Sequence, residues 1–346
     1  MSLQQQSTTD AAAMAEQRAK AAGRRYRRQQ SAFDILVIFV ILQLISVIYG
    51  LIRPNVFAYN SLANIQTALE TIPIEVGIPA LGVGVLMIAG EFDLSVGANF
   101  IISSIVMGQL ATNGLNVWLS ALIALVIGTG IGLINGLITL RLKIPSFITT
   151  LGTSFILIAL TFFVHGESSQ AFSATPVFGA LTAGNLPGSL SVFSSEFLWW
   201  VVLAIAFWAL LEQSKIGNHI YAVGGNKQAA TATGVRVDRT KLLAFGLAGA
   251  TAAFAGILAA SRIGNIAPSG GQALPLEAIA ACVIGGMALN GGRGTILGII
   301  LGSALIYWIS DVLLLLGAPG IYIQAPIGLL IIGAAATYEI LRARRT

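Results

Sequence analysis

Across 346 residues the chain is 56% hydrophobic and only 10% charged, with 19 Lys and Arg against 14 Asp and Glu, whereas a soluble domain carries roughly 25% charged residues to cover its surface. Water is therefore excluded as its only solvent, and an all-α polytopic membrane protein is the expected fold class. One cysteine, Cys282, and two histidines, His165 and His219, in separate segments exclude an internal disulfide, a cysteine metal site and a His-based zinc or triad constellation.

Residues 1–32 are polar and end in the basic run Arg24, Arg25, Tyr26, Arg27 and Arg28, which reads as a cytoplasmic tail. The hydrophobic segment behind it closes on Leu51-Ile52-Arg53-Pro54-Asn55, without a small-x-small cleavage signal, so a retained signal-anchor helix is expected. Apolar runs near the roughly 20 residues that a helix needs to cross a bilayer predict ten spans, at 33–51, 64–88, 95–112, 117–140, 147–165, 197–211, 242–261, 274–289, 295–316 and 321–341. They make one transmembrane domain, 33–341, with a cytoplasmic tail at 342–346. Pro73 and Pro79 break the second span, and glycine crowds the turn between the eighth and ninth. Backbone groups freed by such breaks survive in a bilayer only where other helices or a water-filled cavity satisfy them.

With ten spans, 17 of the 19 Lys and Arg fall on one side, leaving only Arg53 and Arg262 on the other. Positive residues stay cytoplasmic, so both termini are expected there. The 166–196 loop, rich in Ser, Thr, Gly and Ala, then lies on the outer side and the basic 212–241 loop on the cytoplasmic side. Within the second, Asn226 to Thr233 is a stretch of helix formers between glycines. Loops this long in compact proteins are usually functional or disordered.

Gly128, Gly132 and Gly136 recur every four residues in the fourth span, and Gly294, Gly298 and Gly302 do so at the ninth, a spacing that lines one helix face for close backbone contact. Acidic residues inside spans are more informative, because a charge at the bilayer centre costs about 2.5–3.5 kcal/mol on insertion scales. Glu70 and Glu75 lie in the proline-broken second span and Asp311 in the ninth; each reads as part of a polar pathway or, for Asp311, as a group solvated at the outer interface and, for either Glu, as one protonated or bonded to backbone freed by Pro73. The turn Gly90-Glu91-Phe92-Asp93-Leu94-Ser95-Val96-Gly97 joins the second and third spans. Two readings of Asp93 and Ser95 stand: caps that accept the first free N–H groups of the third helix, or parts of a gate beside a solute path. Glu70, Glu75, Asp93, Ser95 and Asn99 are the candidate lining residues of that path. No Gly-x-x-x-x-Gly-Lys-Ser/Thr loop is present, so ATP, if it drives the protein, binds a separate subunit.

Four motifs resemble the permease subunits of the ribose, xylose and galactose branch of bacterial ABC importers. They are Asp93-Leu94-Ser95-Val96-Gly97; Pro145-Ser146-Phe147-Ile148-Thr149-Thr150-Leu151-Gly152-Thr153; Ala222-Val223-Gly224-Gly225-Asn226 with Ala229-Ala230 and Gly234-Val235; and Glu277-Ala278-Ile279-Ala280 through Ile284-Gly285-Gly286 to Gly291-Gly292-Arg293-Gly294-Thr295. They stand in family order, and the resemblance covers nearly the whole chain. It implies a multi-pass subunit of the bacterial inner membrane, embedded in lipid, that moves a pentose, a hexose or a related polar solute and does no bond chemistry itself. It also implies a dimer with a second copy or a paralogue, an ABC ATPase carrying ATP and Mg beneath it, and a periplasmic solute-binding protein above. The chain would hold no cofactor and bind no nucleic acid. Gly224, Gly225, Asn226, Lys227, Ala229, Ala230 and Gly234 would form the coupling helix that docks on the ATPase, with Arg236 and Arg239 adding charge. Many relatives have Gly-Ile where this chain has Glu91-Phe92, and they usually lack a pair like Glu70 and Glu75; both departures leave the solute open, an amine-bearing one included.

A proton- or sodium-coupled secondary transporter also uses intramembrane carboxylates and broken helices, and it predicts uptake along an ion gradient without partner chains. An intramembrane enzyme needs a nucleophile–base or metal set within the bilayer, and His165 and His219 are both expected at or beyond helix ends.

Overall fold

The computed structural model describes residues 33, 35–266, 268, 271–319, 322 and 324–343; the expected tail 1–32 and residues 344–346 lie outside the described residues. Helix α1 spans Ile35–Ile52 and exposes most of its large apolar side chains. Helix α2 (Leu62–Ile72) starts at Ser61, whose hydroxyl accepts the Asn64 N–H, and runs through a π-turn at Pro73–Gly77 into α3 (Ile78–Ile88). The break expected at Pro73 is therefore a local widening of one continuous helix. Pro73 has no N–H for the Leu69 carbonyl four residues back, and Ser194 Oγ donates to that carbonyl at 3.0 Å instead. The Ile78 N–H reaches back five residues to the Pro73 carbonyl, which is the π pattern. Helix α3 is apolar all round and every one of its residues is buried, as a helix with no polar face must be.

Helices α4 (Val96–Thr112), α5 (Val117–Leu142) and α6 (Ser146–His165) follow. Helix α5 lies against the later α11 (Val237–Ile263) along its glycine face. A Cβ on Gly128 would meet Ala253, one on Gly132 the Phe245 carbonyl and Gly249, and one on Gly136 the Phe245 side chain. Gly298 and Gly302 of α13 (Ile296–Leu315) fit in the same way against Gly285 and Ala281, at the end of α12 (Leu274–Ile284). Gly294 does not share that face. It precedes the helix at φ 154°, because Thr295 caps α13 by accepting the Gly298 N–H at 3.0 Å.

Both long loops expected from the sequence are structured. In 166–196, β1 (Gln170–Ala171) pairs antiparallel with β2 (Asn265–Ile266), and α7 (Pro176–Thr182) buries Phe178. In 212–241, α8 (Ser195–Gln213) gives way at Ser214 to α9 (Lys215–Gly225), then α10 (Lys227–Ala232) and α11. The Ser214 hydroxyl accepts the Gly217 N–H at 3.1 Å, and Ile220, Tyr221 and Val223 bury one face of α9; a capped, one-sided pattern of this kind is a packed helix. His219, expected beyond a helix end, lies inside α9. Helix α12 stops at Ile284, short of the expected 289, since Gly286 turns the chain at φ 81°.

Among the described residues, α1, the α2–α3 unit, α5, α6, α8, α11 and α13 are long and apolar enough to cross a membrane. Helices α4 and α12 are shorter, at 17 and 11 residues, and α14 (Gln324–Ala343) closes the chain. Large apolar side chains stand exposed along α1, α5, α6 and α8, a surface extent that only lipid or another apolar partner covers. The protein is a helical, polytopic membrane protein.

Candidate functional site

A cavity of about 410 Å³ opens where the π-turn, α4, the end of α11 and the start of α12 meet. Glu75 and Glu277 line it from different elements, together with Ser104, Asn265 and an apolar wall that includes Ile74, Phe100 and Leu274. The π-turn explains the position of Glu75: Pro73, Ile74, Val76 and Gly77 are buried, and Glu75 alone in that turn is exposed. Glu277 sits in the first turn of α12, where the partial positive charge of the helix end favours a carboxylate. An apolar enclosure with a few convergent polar groups is the usual make-up of a small-molecule site.

Glu70, one turn and a half before Glu75, takes no part in the cavity. It pairs with Arg262, whose Nε also lies 3.5 Å from Glu196 Oε1 and whose Nη1 donates to the Ala183 carbonyl at 2.9 Å. The Glu196 side chain has 0% exposure. One arginine thus ties α2, α7, α8 and α11 together on the side of the bundle where the cavity lies. Asp311 is buried as well, and Asn64 Nδ2 donates to its Oδ2 at 3.0 Å; the solvated position expected for it does not hold.

Asp93, Ser95 and Asn99 lie away from the cavity, in buried hydrogen-bond networks. Asp93 Oδ1 accepts the Ser95 N–H at 2.7 Å and the Ser95 hydroxyl at 2.6 Å, so it closes a turn before α4 and caps no free N–H inside that helix. Ser95, at the N-cap position, makes no side-chain cap either, since Asn135 Nδ2 donates to its Oγ at 2.8 Å. Burial pushes the Asp93 carboxyl above the usual carboxylate range, and the Ser95 hydrogen bonds offset part of that push. Thr153 Oγ1 donates to Asn135 Oδ1 at 2.7 Å, while Ser146 Oγ and Thr150 Oγ1 accept the Phe92 and Leu94 N–H groups at 3.1 and 3.0 Å. The Asp-Leu-Ser turn and the Pro-Ser-Phe-Ile-Thr-Thr segment, far apart in sequence, are therefore one joint. Asn99 bridges helices: its Nδ2 donates to the Gly128 carbonyl at 3.0 Å and the Gly249 carbonyl at 3.2 Å.

The other two motifs make a second joint. The Gly292 N–H donates to the Ile88 carbonyl at 2.8 Å, and a Cβ on Gly224 would strike that same carbonyl. Gly291 lies against Gly90 and Gly224, and Gly292 against Gly225. Gly291 and Gly292 also hold φ of 79° and 73°, which L side chains rarely adopt. Tyr221 Oη seals the joint by donating to the Gly294 carbonyl at 2.9 Å. The ends of α3 and α9 and the 285–295 segment thus touch backbone to backbone. Beside them Lys241 Nζ meets Glu91 Oε1 at 2.5 Å, which gives the departure at Glu91 a structural role.

Helix α10 projects from this joint. Asn226 Oδ1 accepts the Ala229 N–H at 3.0 Å at its start. At its end the Val235 N–H reaches the Ala230 carbonyl and the Gly234 N–H the Thr231 carbonyl, both at 3.0 Å, with Gly234 at φ 81°; this is a Schellman stop. Lys227 and Ala229 are exposed, whereas Ala230 is 3% exposed and packs with Val223, Val235 and Val237. The two alanines therefore differ in role. Of the residues anticipated for a solute path, only Glu75 reaches the cavity. Glu277 enters the sequence reading only as part of a family motif and Arg262 only as an outer-side cation, neither as a site residue; an acidic residue inside an apolar run, the signal that marks Glu75, marks Glu277 equally.

The helical bundle thus carries a cavity beside the entry to α3 and a glycine joint, bearing a short helix, at its exit. Residues 67–335 match the family described as branched-chain amino acid transport system / permease component. The chain is 33% identical over 315 residues to the autoinducer 2 import system permease protein of Yersinia enterocolitica, covering 89% of this chain and 81% of that one. It is 35% identical over 271 residues to the fructose import permease protein of Rhizobium meliloti, covering 77% and 75%. With the ribose import permease protein of Escherichia coli strain K12 it shares 30% identity over 305 residues, covering 87% and 92%. No solved structure matches it. The chain belongs to this family of importer permease subunits, and it is a multi-pass protein of the bacterial inner membrane.

Proposed function

We propose that the chain is the membrane-spanning subunit of an ATP-driven, binding-protein-dependent importer for a sugar or a related hydroxyl-rich solute. The observation that carries this reading is the position of α3: its entry turn presents Glu75 to the cavity, and its exit is locked to α9 by the glycine joint. In this reading ten spans cross the membrane and both termini are cytoplasmic, in keeping with the distribution of Lys and Arg. The cavity then opens toward the periplasm, where a binding protein delivers solute. Helix α10 faces the cytoplasm, where an ABC ATPase holds ATP and Mg. Two permease copies, or this chain and a paralogue, flank the solute path.

The chain itself performs no bond chemistry in this scheme. Closure of the ATPases pushes the exposed face of α10, and the buried Ala230 side passes the displacement to α9. Backbone contact at Gly224, Gly291 and Gly292 hands it to α3, with no flexible side chain between to absorb it. The relatives named for ribose, fructose and autoinducer 2 import support the solute class. Uptake by membranes carrying the permease, its ATPase and its binding protein is expected to need ATP and all three parts. Two intramembrane carboxylates also fit an ion-coupled secondary transporter; full uptake by the permease alone, driven by a proton or sodium gradient, would establish that reading instead.

A further inference from the structure

Two carboxylates, Glu75 and Glu277, are the charged groups among the described residues that line the cavity. Among its described lining residues there is no Lys, Arg or His, and the sequence between the lining residues Asn265 and Gly271 has no charged residue. The nearest cation along the chain, Arg262, is already committed to Glu70 and Glu196. Glu75 and Glu277 come from separate elements, and each is placed by its own device: the π-turn exposes one and the first turn of α12 carries the other. A π-turn inside an otherwise regular helix often marks a functional position. Here it keeps an acidic side chain on the cavity wall of a helix whose other faces are buried.

We infer that Glu75 and Glu277 are specificity-determining residues that act as a charge filter, so that the path accepts hydroxyl-rich solutes that are neutral or amine-bearing and rejects phosphorylated or carboxylated ones. A low-dielectric cleft lined by one sign of charge focuses its field and alters the local concentration of a charged solute by tenfold or more. Carboxylates accept hydrogen bonds from hydroxyl and ammonium groups and offer no donor to a phosphate oxygen when ionised. Selection then has two parts: acceptors in place for the right solute, and an uncompensated like charge against the wrong one. The apolar wall at Ile74, Phe100 and Leu274 faces the C–H surface of such a solute.

This inference rests on the cavity being the solute path, and its test is independent of any partner chain. Cys282, the one native cysteine, is buried, so Ala273→Cys, at a partly exposed lining position one turn before Glu277, places a single reactive thiol on the cavity wall. Its modification rates by a trimethylammonium and by a sulfonate methanethiosulfonate are measured on the full-length chain in lipid vesicles. The cation-to-anion rate ratio is expected to exceed that of a free thiol by about tenfold or more. Glu75→Gln and Glu277→Gln should each lower the excess, and the double substitution should abolish it, with gel filtration verifying that each variant stays monodisperse. A free-thiol ratio with both glutamates present, an excess that survives the double substitution, or no reaction with either reagent at Ala273→Cys overturns the filter. An intact ratio alongside failed ATP-dependent uptake would remove the importer reading alone; normal uptake with no excess would remove the filter alone.

Discussion

Replacing Arg262 with Met tests whether the cavity end of the bundle is held by charge. The substitution keeps an unbranched side chain but strands two carboxylates, Glu196 at 0% side-chain exposure and Glu70 at 24%. Removing one partner of a buried ion pair costs about 3–5 kcal/mol. The 21% exposure of Arg262 itself lets water reach the site and places the expected loss near the lower end, about 3 kcal/mol. Scaled below the roughly 2–4 °C per kcal/mol of shorter chains, the melting temperature falls by about 5 °C. Thermal unfolding of the purified chain in detergent is the assay. Adding Glu196→Gln removes the buried unpaired charge and is expected to recover a large part of the loss. A single variant that melts with the native chain, or a double variant no better than the single one, refutes the clamp.

Three further outcomes follow from the burial pattern. Ala229→Leu should abolish ATP-dependent uptake while thermal stability is unchanged, because the side chain is exposed; Ala230→Leu overfills the space among Val223, Val235 and Val237 and should cost about 1–3 kcal/mol in a thermal melt. Asn99→Ala removes the tie among α4, α5 and α11 and should lower stability by about 1 kcal/mol, with solute affinity in uptake assays unaltered, since Asn99 does not line the cavity. Asp93 is raised by burial, so its contribution to stability is fully present below its unfolded value and is lost as pH rises through the folded one. Asp93→Asn keeps an oxygen to accept the Ser95 bonds and should flatten that pH dependence, measured as melting temperature against pH.

Hydropathy located the helices well where an apolar run was long, because a run of that kind has one stable state in lipid. It placed the end of α12 too far along, since the positive φ at Gly286 terminates a helix without altering apolarity. The proline in the second span was legible as a disturbance, but its form depended on Ser194, more than a hundred residues away, supplying a donor to Leu69. The solute-path candidates divided for a similar reason. Asp93, Ser95 and Asn99 are polar residues that helix packing consumes, whereas Glu75 keeps its exposure, and only the partners brought by other helices separate the two cases. The four motifs carry the resemblance through their order along the chain, and that they form two joints is a property of the fold.

In the proposed scheme solute movement depends on ATP hydrolysed by a partner, with the stroke passed through α10. Its most direct test is uptake of radiolabelled ribose and fructose into vesicles containing the permease and its ATPase, with the binding protein outside and ATP within. At least one sugar is expected to accumulate, and accumulation should stop when ATP, the ATPase or the binding protein is omitted and when Ala229→Leu is introduced. Equal accumulation by vesicles holding the permease alone would contradict it.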